Sequence, residues 1–307
     1  MSVIVAGSLN LDSVVTLDRF PNPGETVPGK EINLYPGGKG LNQAVAVSRS
    51  GSKVGMLGSL GNDAAANVLE SVLQDEQIDS QFISRIDIAS GCAYIEVDQT
   101  GNNRIVVVPG ANGKFKFDSE VFSDLTNKIS AKVLLAQMEV PISELINLFK
   151  FAKKCGLFTI LNPAPAENFD FKILEFVDLL VPNQHEAAQL TNIKVENSDH
   201  AIISSKKLVE QGANAVLTTL GELGSIYFAN GNAKKFQSYK VKSVDSTSAG
   251  DAFCGALAGQ ISQGAPIDLA IRFASAAGAL ATTKPGAVPS LPKQSNIENL
   301  ISTGELI

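Results

Sequence analysis

The segment "DSTSAGDAFCGA", residues 245–256, holds two aspartates, and the second of them follows an Ala-Gly step. Asp251 opens an apolar, small-residue stretch that predicts a helix, where a carboxylate is a common cap. Capping alone does not require Ala249 and Gly250, whose small size leaves the neighbouring backbone amides unobstructed. Amides at a helix N-terminus bind anions. The segment is therefore either a plain helix start or a carboxylate placed beside an anion site.

Short apolar runs alternate with helical patterns over most of the chain. Six runs have the composition of buried strands: "VIVAGSL", "KVGMLGSLG", "AKVLLAQME", "LFTILNPAP", "VDLLVPN" and "NAVLTTLG". Between them, residues 63–77 and 142–156 predict helices, and Asp63 is the expected N-cap of the first. This alternation predicts an α/β fold with a doubly wound, mostly parallel sheet flanked by helices.

Two regions interrupt the alternation. Residues 11–36 are rich in Pro and Gly without a helical pattern, and residues 92–108 predict a hairpin with its turn around Gly101. We expect them to form a small β-sheet lid over the carboxyl ends of the main strands. The predicted division is a main domain of residues 1–10, 39–91 and 109–307, and a lid and dimerisation layer of residues 11–38 and 92–108. A layer with one face to bury covers a ligand, a second subunit, or both.

Polar residues and glycines follow several of the predicted strands. In an open α/β sheet, ligands bind at the carboxyl ends of the strands. The candidates at those ends are Asn10, Asp12, Gly37, Gly38, Lys39, Gly40, Asn42, Glu139, Asn183, Glu186, Thr219, Gly221 and Asp251. Together they favour a polar ligand with several hydroxyl groups over an apolar one.

Each candidate also has a structural explanation when it is considered alone. Gly38 suits a turn, Asn183 suits a helix cap, and Glu139 suits a solvated strand end. Lys39 is an ordinary surface lysine without its neighbouring glycines, and Asp245 is explained by bracing its loop. No single residue decides between a structural and a functional role.

Composition excludes several classes of partner. The formal net charge of −6 and the pI near 5.1 argue against nucleic-acid or anionic-membrane binding, which require basic surfaces. No apolar run reaches membrane-spanning length, and the N-terminal residues lack the pattern of a signal peptide. Three dispersed cysteines and two histidines form no metal motif and no disulfide framework. These features predict a reduced, cytoplasmic protein.

The order and spacing of the motifs resemble those of a known family. "PGGKGLNQAVAVSRSG" (36–51) and "DSTSAGDAFCGALAGQI" (245–261) are similar to the two signature segments of the ribokinase family, also called the PfkB carbohydrate kinases. The resemblance continues along the chain through "GSLNLD", "FPNPGET", "NPAPA", "VPNQHEAAQLT", "TLGELGS" and "KPGAVPSLP". Neither a Walker P-loop nor a strand-linked G-x-G-x-x-G is present. The resemblance implies a ribokinase-like fold.

The resemblance also implies a reaction and its residues. It implies ATP-dependent phosphorylation of D-ribose at the 5-hydroxyl, giving D-ribose 5-phosphate and ADP. Asp251 would be the general base. Backbone amides from Ser248 through Ala249 and Gly250 to Asp251 would form an anion hole for the transferred phosphoryl group. The sugar-binding residues would be Asn10, Asp12, Gly38, Lys39, Asn42, Glu139 and Asp251.

Nucleotide, metal and subunit contacts are implied in the same way. ATP would contact Asn183, Thr219, Gly221, Gly250 and Ser275, and Glu186 would help to hold Mg²⁺ through water. K⁺ as a monovalent activator would bind at Asp245, Thr247, Ala281, Lys284, Gly286 and Ser290. Two departures from the family pattern are Ser248 and Pro285, the latter within the cation loop. The family also implies a homodimer through the lid.

Four alternatives stay open at this point. A related kinase for a phosphorylated sugar would need extra basic residues, for which Lys30 and Arg104 are the lid's candidates. A nucleoside kinase would need an aromatic platform, for which Tyr35 and Tyr94 are available. A kinase for another sugar, or a non-catalytic sugar-binding regulator on the same fold, would share most of the motifs.

Overall fold

The computed structural model describes residues 2–305; Met1, Leu306 and Ile307, which the predicted main domain includes, lie outside the described residues. Within that range the strands are β1 (Ser2–Ala6), β2 (Asn10–Leu17), β3 (Gly29–Gly37), β4 (Lys53–Leu57), β5 (Ser59–Gly61), β6 (Ser84–Ile86), β7 (Cys92–Val97), β8 (Asn103–Val108), β9 (Ala131–Ala136), β10 (Phe158–Leu161), β11 (Leu179–Leu180), β12 (Ala215–Thr219), β13 (Ser225–Ala229) and β14 (Asn232–Phe236). The α-helices are α1 (Lys39–Arg49), α2 (Ala64–Asp75), α3 (Ser119–Ile129), α4 (Ile142–Lys154), α5 (Gln184–Thr191), α6 (Ser198–Glu210), α7 (Ala249–Ser262), α8 (Ile267–Ala281) and α9 (Gln294–Thr303).

The main sheet has eight strands in the order β14-β13-β12-β11-β10-β9-β1-β4. All pairs from β4 to β12 are parallel, whereas β12, β13 and β14 pair antiparallel. Side chains of a central strand alternate between two hydrophobic cores, because helices cover both faces. In β1, Val3 and Val5 belong to one core and Ile4 and Ala6 to the other. The predicted doubly wound, mostly parallel sheet flanked by helices is confirmed.

The hairpin β13–β14 at the edge of this sheet is an element that the sequence analysis does not predict. Its turn is Asn230-Gly231, with φ of 51° and 75°. Positive φ at both central residues is the geometry that a tight hairpin turn requires, and Asn-Gly is the favoured pair for it. An Asn-Gly pair directly after the apolar run of residues 225–229 is therefore the signal that identifies this hairpin.

Local predictions elsewhere are confirmed. The helix predicted at residues 63–77 is α2, and the Asp63 side chain caps it by accepting the N–H of Ala66 over 2.9 Å. The helix predicted at residues 142–156 is α4. No helix within residues 2–305 is both long enough and apolar enough to cross a membrane.

Strands β3, β2, β7 and β8 form a separate four-stranded sheet in that order, called the small sheet below. The register pairs Ser13 with both Leu34 and Tyr94, and pairs Tyr94 with Val106, so these side chains share one face. Leu34, Tyr94 and Val106 are 57%, 55% and 63% exposed. An exposed apolar face of this kind is typical of a surface that binds a partner.

Helices α1 and α7 pack unusually close together because α7 carries glycines at the contact. A Cβ added at Gly255 would lie 2.5 Å from the Cβ of Ala46 and 2.6 Å from the carbonyl oxygen of Gln43. A Cβ added at Gly259 would lie 2.4 Å from Ser50 Oγ. The missing side chains therefore let the α1 backbone approach α7, which brings the first turns of the two helices together.

Gly255→Ala is expected to destabilise the protein, although alanine is favoured over glycine inside a helix by about 1 kcal/mol. The added methyl group forces α1 and α7 apart, and overpacking of this kind costs about 1–3 kcal/mol. The matched variant Gly250→Ala, in the same helix, adds a methyl group that meets no atom within 4 Å, and its stability should be unchanged or slightly higher. Urea unfolding measures both free energies; a Gly255→Ala protein as stable as the parent contradicts the packing argument.

Candidate active site

Asp251 lies in the first turn of α7 and is only 6% exposed. Two amide side chains from the first turns of α1 donate to its carboxylate: Asn42 Nδ2 to Oδ2 and Gln43 Nε2 to Oδ1, each over 3.0 Å. Burial raises the pKa of Asp251, while the charge of Lys39 and the two amide donors act in the opposite direction. Within residues 2–305 the carboxylate accepts no backbone N–H, so Asp251 is not a helix cap.

Helix α1 begins where the chain passes directly over the end of β1, and only glycine permits that approach. Gly38 has a φ of 89°, and a Cβ there would lie 3.0 Å from the backbone nitrogen of Asn10. A Cβ at Gly40 would lie 2.5 Å from the backbone nitrogen of Ser8. The two glycines thus place the first turn of α1, including Lys39, at the carboxyl end of β1.

The region of Lys39, Glu139 and Glu186 beside Asp251 is called the polar cleft below, and the charges of three carboxylates act on the Lys39 ammonium there. Burial lowers the pKa of Lys39, but the charges of Asp251, Glu139 and Glu186 outweigh that effect and the net shift is upward. Glu139 also accepts the backbone N–H of Lys39 over 3.0 Å. The structure therefore brings three of the predicted residues near a fourth, Lys39, which is charged at neutral pH.

The predicted residues of β2 connect this cleft to the small sheet. Burial raises the pKa of Asp12 to about 6; the N–H of Ala93, which donates to it over 3.2 Å, opposes the shift, and the charge of Glu139 adds to it. Asn10 is buried, and its Oδ1 accepts Asn112 Nδ2 over 2.8 Å. Because β2 belongs to the small sheet, any movement of that sheet would move both side chains.

The start of α7 presents backbone N–H groups without partners. Ser248 has a left-handed φ of 58° and turns the chain into the helix. Within the described residues the N–H groups of Ser248, Gly250 and Asp251 donate to no protein atom, whereas that of Ala249 donates to the Ser246 carbonyl oxygen over 3.2 Å. The space beside Gly250 is open. Unpaired amides at a helix N-terminus suit an anion, and the predicted set differs at Ala249, whose amide the turn uses.

The start of α7 also lines a cavity of about 280 Å³. Four residues predicted to bind nucleotide line it: Thr219, Gly221, Gly250 and Ser275. Asn183 is not among the lining residues. Ala249, predicted for the anion hole, also lines the cavity, and the sequence analysis misses the rest of the wall, which is formed by Glu222, Gly224, Ser238, Tyr239, Val241, Ser243, Ser246, Phe253, Gly278, Ala279 and Thr282.

Asn183 and Glu186 form a capping box at the start of α5. Asn183 Oδ1 accepts the N–H of Glu186 over 2.9 Å, and Glu186 Oε2 accepts the N–H of Asn183 over 2.8 Å. The structural explanation of Asn183 as a helix cap is therefore confirmed. The charges of the cleft also act on Glu186. Burial raises the pKa of Glu186, the charge of Lys39 opposes that shift, and the charge of Asp251 adds to it.

The predicted cation loop contains a braced carboxylate. Asp245 accepts the N–H of Thr247 over 2.9 Å and the N–H of Gly286 over 2.8 Å. Burial raises the pKa of Asp245, but these hydrogen bonds outweigh it and lower the pKa, so the group is ionised at neutral pH. Ser290 donates its hydroxyl to the carbonyl oxygen of Ala287 over 2.8 Å.

Unused oxygen atoms lie in the same loop. Within residues 2–305, no N–H donates to the carbonyl oxygens of Thr247, Ala281, Lys284 and Gly286. Ala281 ends α8, and the residue four positions later is Pro285, which has no N–H to donate. A carboxylate and several free carbonyl oxygens form a donor set that fits a hard cation. The described residues hold no cluster of three or more His, Cys, Asp or Glu side chains placed for a metal.

A chain of buried amides behind Asp251 is a part of the site that the sequence analysis misses. Gln137 Nε2 donates to Gln43 Oε1 over 2.6 Å, and Gln43 Nε2 donates to Asn162 Oδ1 over 3.1 Å. Gln43 stands next to Asn42 in the glycine-rich motif, which is the one usable signal. Nothing in the sequence around Gln137 marks it, because its contact depends on how β1 and β9 pair.

Comparison with other proteins gives a consistent result. The pattern of the family described as pfkB family carbohydrate kinase matches residues 1–294. The ribokinase of Haemophilus influenzae is 33% identical over 97% of this chain and 98% of its own length. A solved structure of Arabidopsis thaliana ribokinase complexed with ribose and ATP superposes with a TM-score of 0.92 at 30% identity, covering 97% of this chain and 98% of the other.

Two further relatives differ in their described activity. The bifunctional ribokinase/ribose-5-phosphate isomerase A of Fructilactobacillus sanfranciscensis is 36% identical over 99% of this chain, which spans only 57% of that protein. A deoxyribokinase of Salmonella typhimurium is 30% identical over 99% of this chain and all of its own length, 100%. Fold, motifs and full-length similarity agree: the chain belongs to the pfkB family of carbohydrate kinases and is similar to the ribokinases within it.

Proposed function

We propose that this protein transfers the γ-phosphoryl group of ATP to the 5-hydroxyl of D-ribose, giving D-ribose 5-phosphate and ADP. The observation that carries the proposal is the buried Asp251 carboxylate beside the unpaired N–H groups of Gly250 and of Asp251 itself. These groups stand between the polar cleft around Lys39 and the cavity lined by Thr219 and Gly221. The similarity to ribokinases over nearly the whole chain supports ribose as the acceptor.

Asp251 would act as the general base. As the 5-hydroxyl oxygen bonds to the γ-phosphorus, its proton passes to the Asp251 carboxylate. The bond from the γ-phosphorus to the oxygen bridging to the β-phosphate breaks, and ADP leaves with that electron pair. A base is most effective when its pKa approaches the working pH, and burial moves the pKa of Asp251 in that direction.

The polar cleft would bind the sugar. Carboxylates and amides suit a polyol because each can engage more than one hydroxyl group in a fixed geometry. The charges in the cleft favour a neutral ligand over a phosphorylated one. Three carboxylates act on the single Lys39 ammonium, so the balance of charge is negative. The proposed sugar ligands are Asn10, Asp12, Gly38, Lys39, Asn42 and Glu139.

The start of α7 would bind the transferred phosphoryl group. The unpaired amides of Ser248, Gly250 and Asp251 donate toward charge that develops on the phosphoryl oxygens, and one such donor is worth about 3–4 kcal/mol in comparable sites. Ala249 would join them only if its turn bond to Ser246 opened. ATP would occupy the adjacent cavity, beside Thr219, Gly221 and Ser275.

Mg²⁺ and K⁺ are proposed as the metals. Mg²⁺ would neutralise charge on the phosphates of ATP, and Glu186 would hold it through water, because both oxygens of this carboxylate keep a lone pair beyond their bonds to Asn183. K⁺ would bind the ionised Asp245 and the unused carbonyl oxygens of its loop, with the hydroxyl of Ser290. The segment from Asp245 to Ser248 leads directly into the amides of α7.

The small sheet would act as the lid and as the subunit contact. Its residues Asn10 and Asp12 reach the cleft, so closure over a bound sugar would exclude water from the reacting groups. The opposite face exposes Leu34, Tyr94 and Val106. We propose that a second copy of the chain covers this face in a homodimer.

Asp251→Asn is expected to lower turnover about 10²- to 10⁴-fold, since the amide cannot accept the proton. ADP release with ATP, Mg²⁺ and K⁺ measures it, with ribose, 2-deoxyribose, fructose, fructose 6-phosphate and adenosine offered separately. Asp118→Asn is the matched control, because Asp118 caps α3 through Oδ1 alone, an acceptor that asparagine keeps, and the site is untouched.

Ribose-dependent turnover that the Asp251 variant loses supports both the acceptor and the base. Turnover with another acceptor alone, 2-deoxyribose included, contradicts ribose as the substrate. Sugar binding without turnover on any acceptor favours a regulator and contradicts the reaction.

Gly250→Ala is expected to reduce kcat by at least tenfold while leaving the protein folded. Its methyl group fills the open space that the phosphoryl group needs beside the α7 amides, and loss of a single donor at such a site costs about 10²- to 10³-fold. Steady-state kinetics with saturating ribose measure the change. An unchanged kcat would contradict a role for the α7 amides in the reaction.

Leu34→Lys with Val106→Lys is expected to give a monomer, because two ammonium groups cannot be buried unpaired between subunits. Light scattering of the purified protein gives the mass of parent and variant. Ile203→Lys is the control, as Ile203 on α6 is 55% exposed and lies outside the small sheet. A monomeric parent, or a variant that stays dimeric, contradicts the proposed interface.

A further inference from the structure

We infer that Gln43 is a positioning residue that holds one oxygen of Asp251, Oδ1, and so assigns proton acceptance to the other, Oδ2. The inference rests on the proposed role of Asp251 as the base. It concerns a side chain that lies behind the carboxylate and has no exposed surface.

Hydrogen bonds on both of its ends fix the Gln43 amide. Nε2 donates to Asp251 Oδ1 over 3.0 Å and to Asn162 Oδ1 over 3.1 Å, which uses both of its hydrogens. Oε1 accepts Gln137 Nε2 over 2.6 Å. A reversed amide would turn Oε1 toward Asp251 Oδ1 and Asn162 Oδ1, neither of which has a hydrogen to donate, since the Asn162 amide is oriented by its bond to Val181. The amide therefore has one favourable orientation.

The far end of this chain of amides is anchored in the main sheet. Asn162 Nδ2 donates to the carbonyl oxygen of Val181 over 2.9 Å. Gln137, Asn162 and Val181 follow β9, β10 and β11, three neighbouring strands. Gln43 thus ties the base to the carboxyl ends of three central strands.

The other carboxylate oxygen is held by Asn42, an amide whose own oxygen has no partner. Asn42 Nδ2 donates to Asp251 Oδ2 and also to Ser248 Oγ over 3.1 Å. Asn42 Oδ1 is buried and has no hydrogen-bond partner. A hydroxyl donor from the cleft would satisfy that oxygen, because a buried acceptor without a donor is costly. The cleft side of Asp251 is therefore the exchangeable side, and the Gln43 side is the fixed one.

The sign of the pH effect follows from this arrangement. A donor to the ionised form lowers a carboxyl pKa, so loss of the Gln43 donor raises the pKa of Asp251 and moves the acid limb of the kcat profile to higher pH. The other titratable groups that act on Asp251 or respond to it are Lys39, Glu139, Glu186 and Cys254. Substitution of Gln43 changes none of them.

The test compares kcat against pH for Gln43→Met, Gln43→Glu and the parent. Methionine keeps the length without the amide, and we expect the acid limb to move up by about one pH unit, with the KM for ribose little changed. Glutamate keeps the shape and the acceptor for Gln137 but places a second carboxylate beside Asp251, so its shift should be larger. Thr159→Val is the control for lost buried hydrogen bonds, since buried Thr159 on β10 bonds to Phe176 and Asp178, away from the site.

The outcomes distinguish the positioning role of Gln43 from the role of Asp251 as the base. The inference is supported if the acid limb of kcat lies at higher pH in Gln43→Met than in the parent, and higher still in Gln43→Glu. The acid limb of Thr159→Val should stay where it is in the parent. Coincident acid limbs in the parent and both folded Gln43 variants overturn it, and if Gln43→Met does not fold, the glutamate variant decides alone. Full turnover by Asp251→Asn would instead overturn the base itself.

Discussion

An ionised carboxylate removed from water must be compensated by charge and hydrogen bonds, and Asp251 is such a group. Its compensation comes from outside its own helix: two amides of α1 and the ammonium of Lys39. That arrangement requires α1 and α7 to meet with their first turns side by side, which the bare backbone of Gly255 permits. Substituting any of these groups changes the environment of one carboxylate.

The same constraint divides the site into two electrostatic halves. Carboxylates gather on the side of Lys39 and Glu139, where a neutral polyol meets no repulsion. Unpaired N–H groups lie on the side of Gly250, where an anion is favoured. Asp251 contributes its side chain to one half and its backbone N–H to the other. In the proposed reaction, a phosphoryl group and a hydroxyl would be brought together at that residue without either half having to bind both.

Much of the fold and part of the candidate site could be predicted from the sequence. The parts that could not be predicted have physical causes. The glycine-rich start of α1 and the Ala-Gly step before Asp251 are local, because each glycine is required by contacts of its own backbone. The amide chain through Gln137 and Asn162 is not local, since strand pairing decides which strand ends are neighbours. The part of the cavity wall within residues 238–246 could not be predicted either, because tertiary packing decides which segment lies beside the start of α7. The hairpin β13–β14 differs from these non-local features, because its Asn-Gly turn is a local signal in the sequence.

Pro285 shows how a departure from a family pattern can be reinterpreted by structure. In the sequence, Pro285 is a departure from the family pattern within the predicted cation loop. In the structure its missing N–H leaves the carbonyl oxygen of Ala281 without a partner at the end of α8, as a cation ligand would need. The next residue, Thr282, accepts the N–H groups of Val244 and Asp245, over 2.7 and 3.1 Å, which ties the end of α8 to the segment entering α7. A cation held there would stabilise the left-handed turn at Ser248, and with it the alignment of the α7 amides, without touching either substrate.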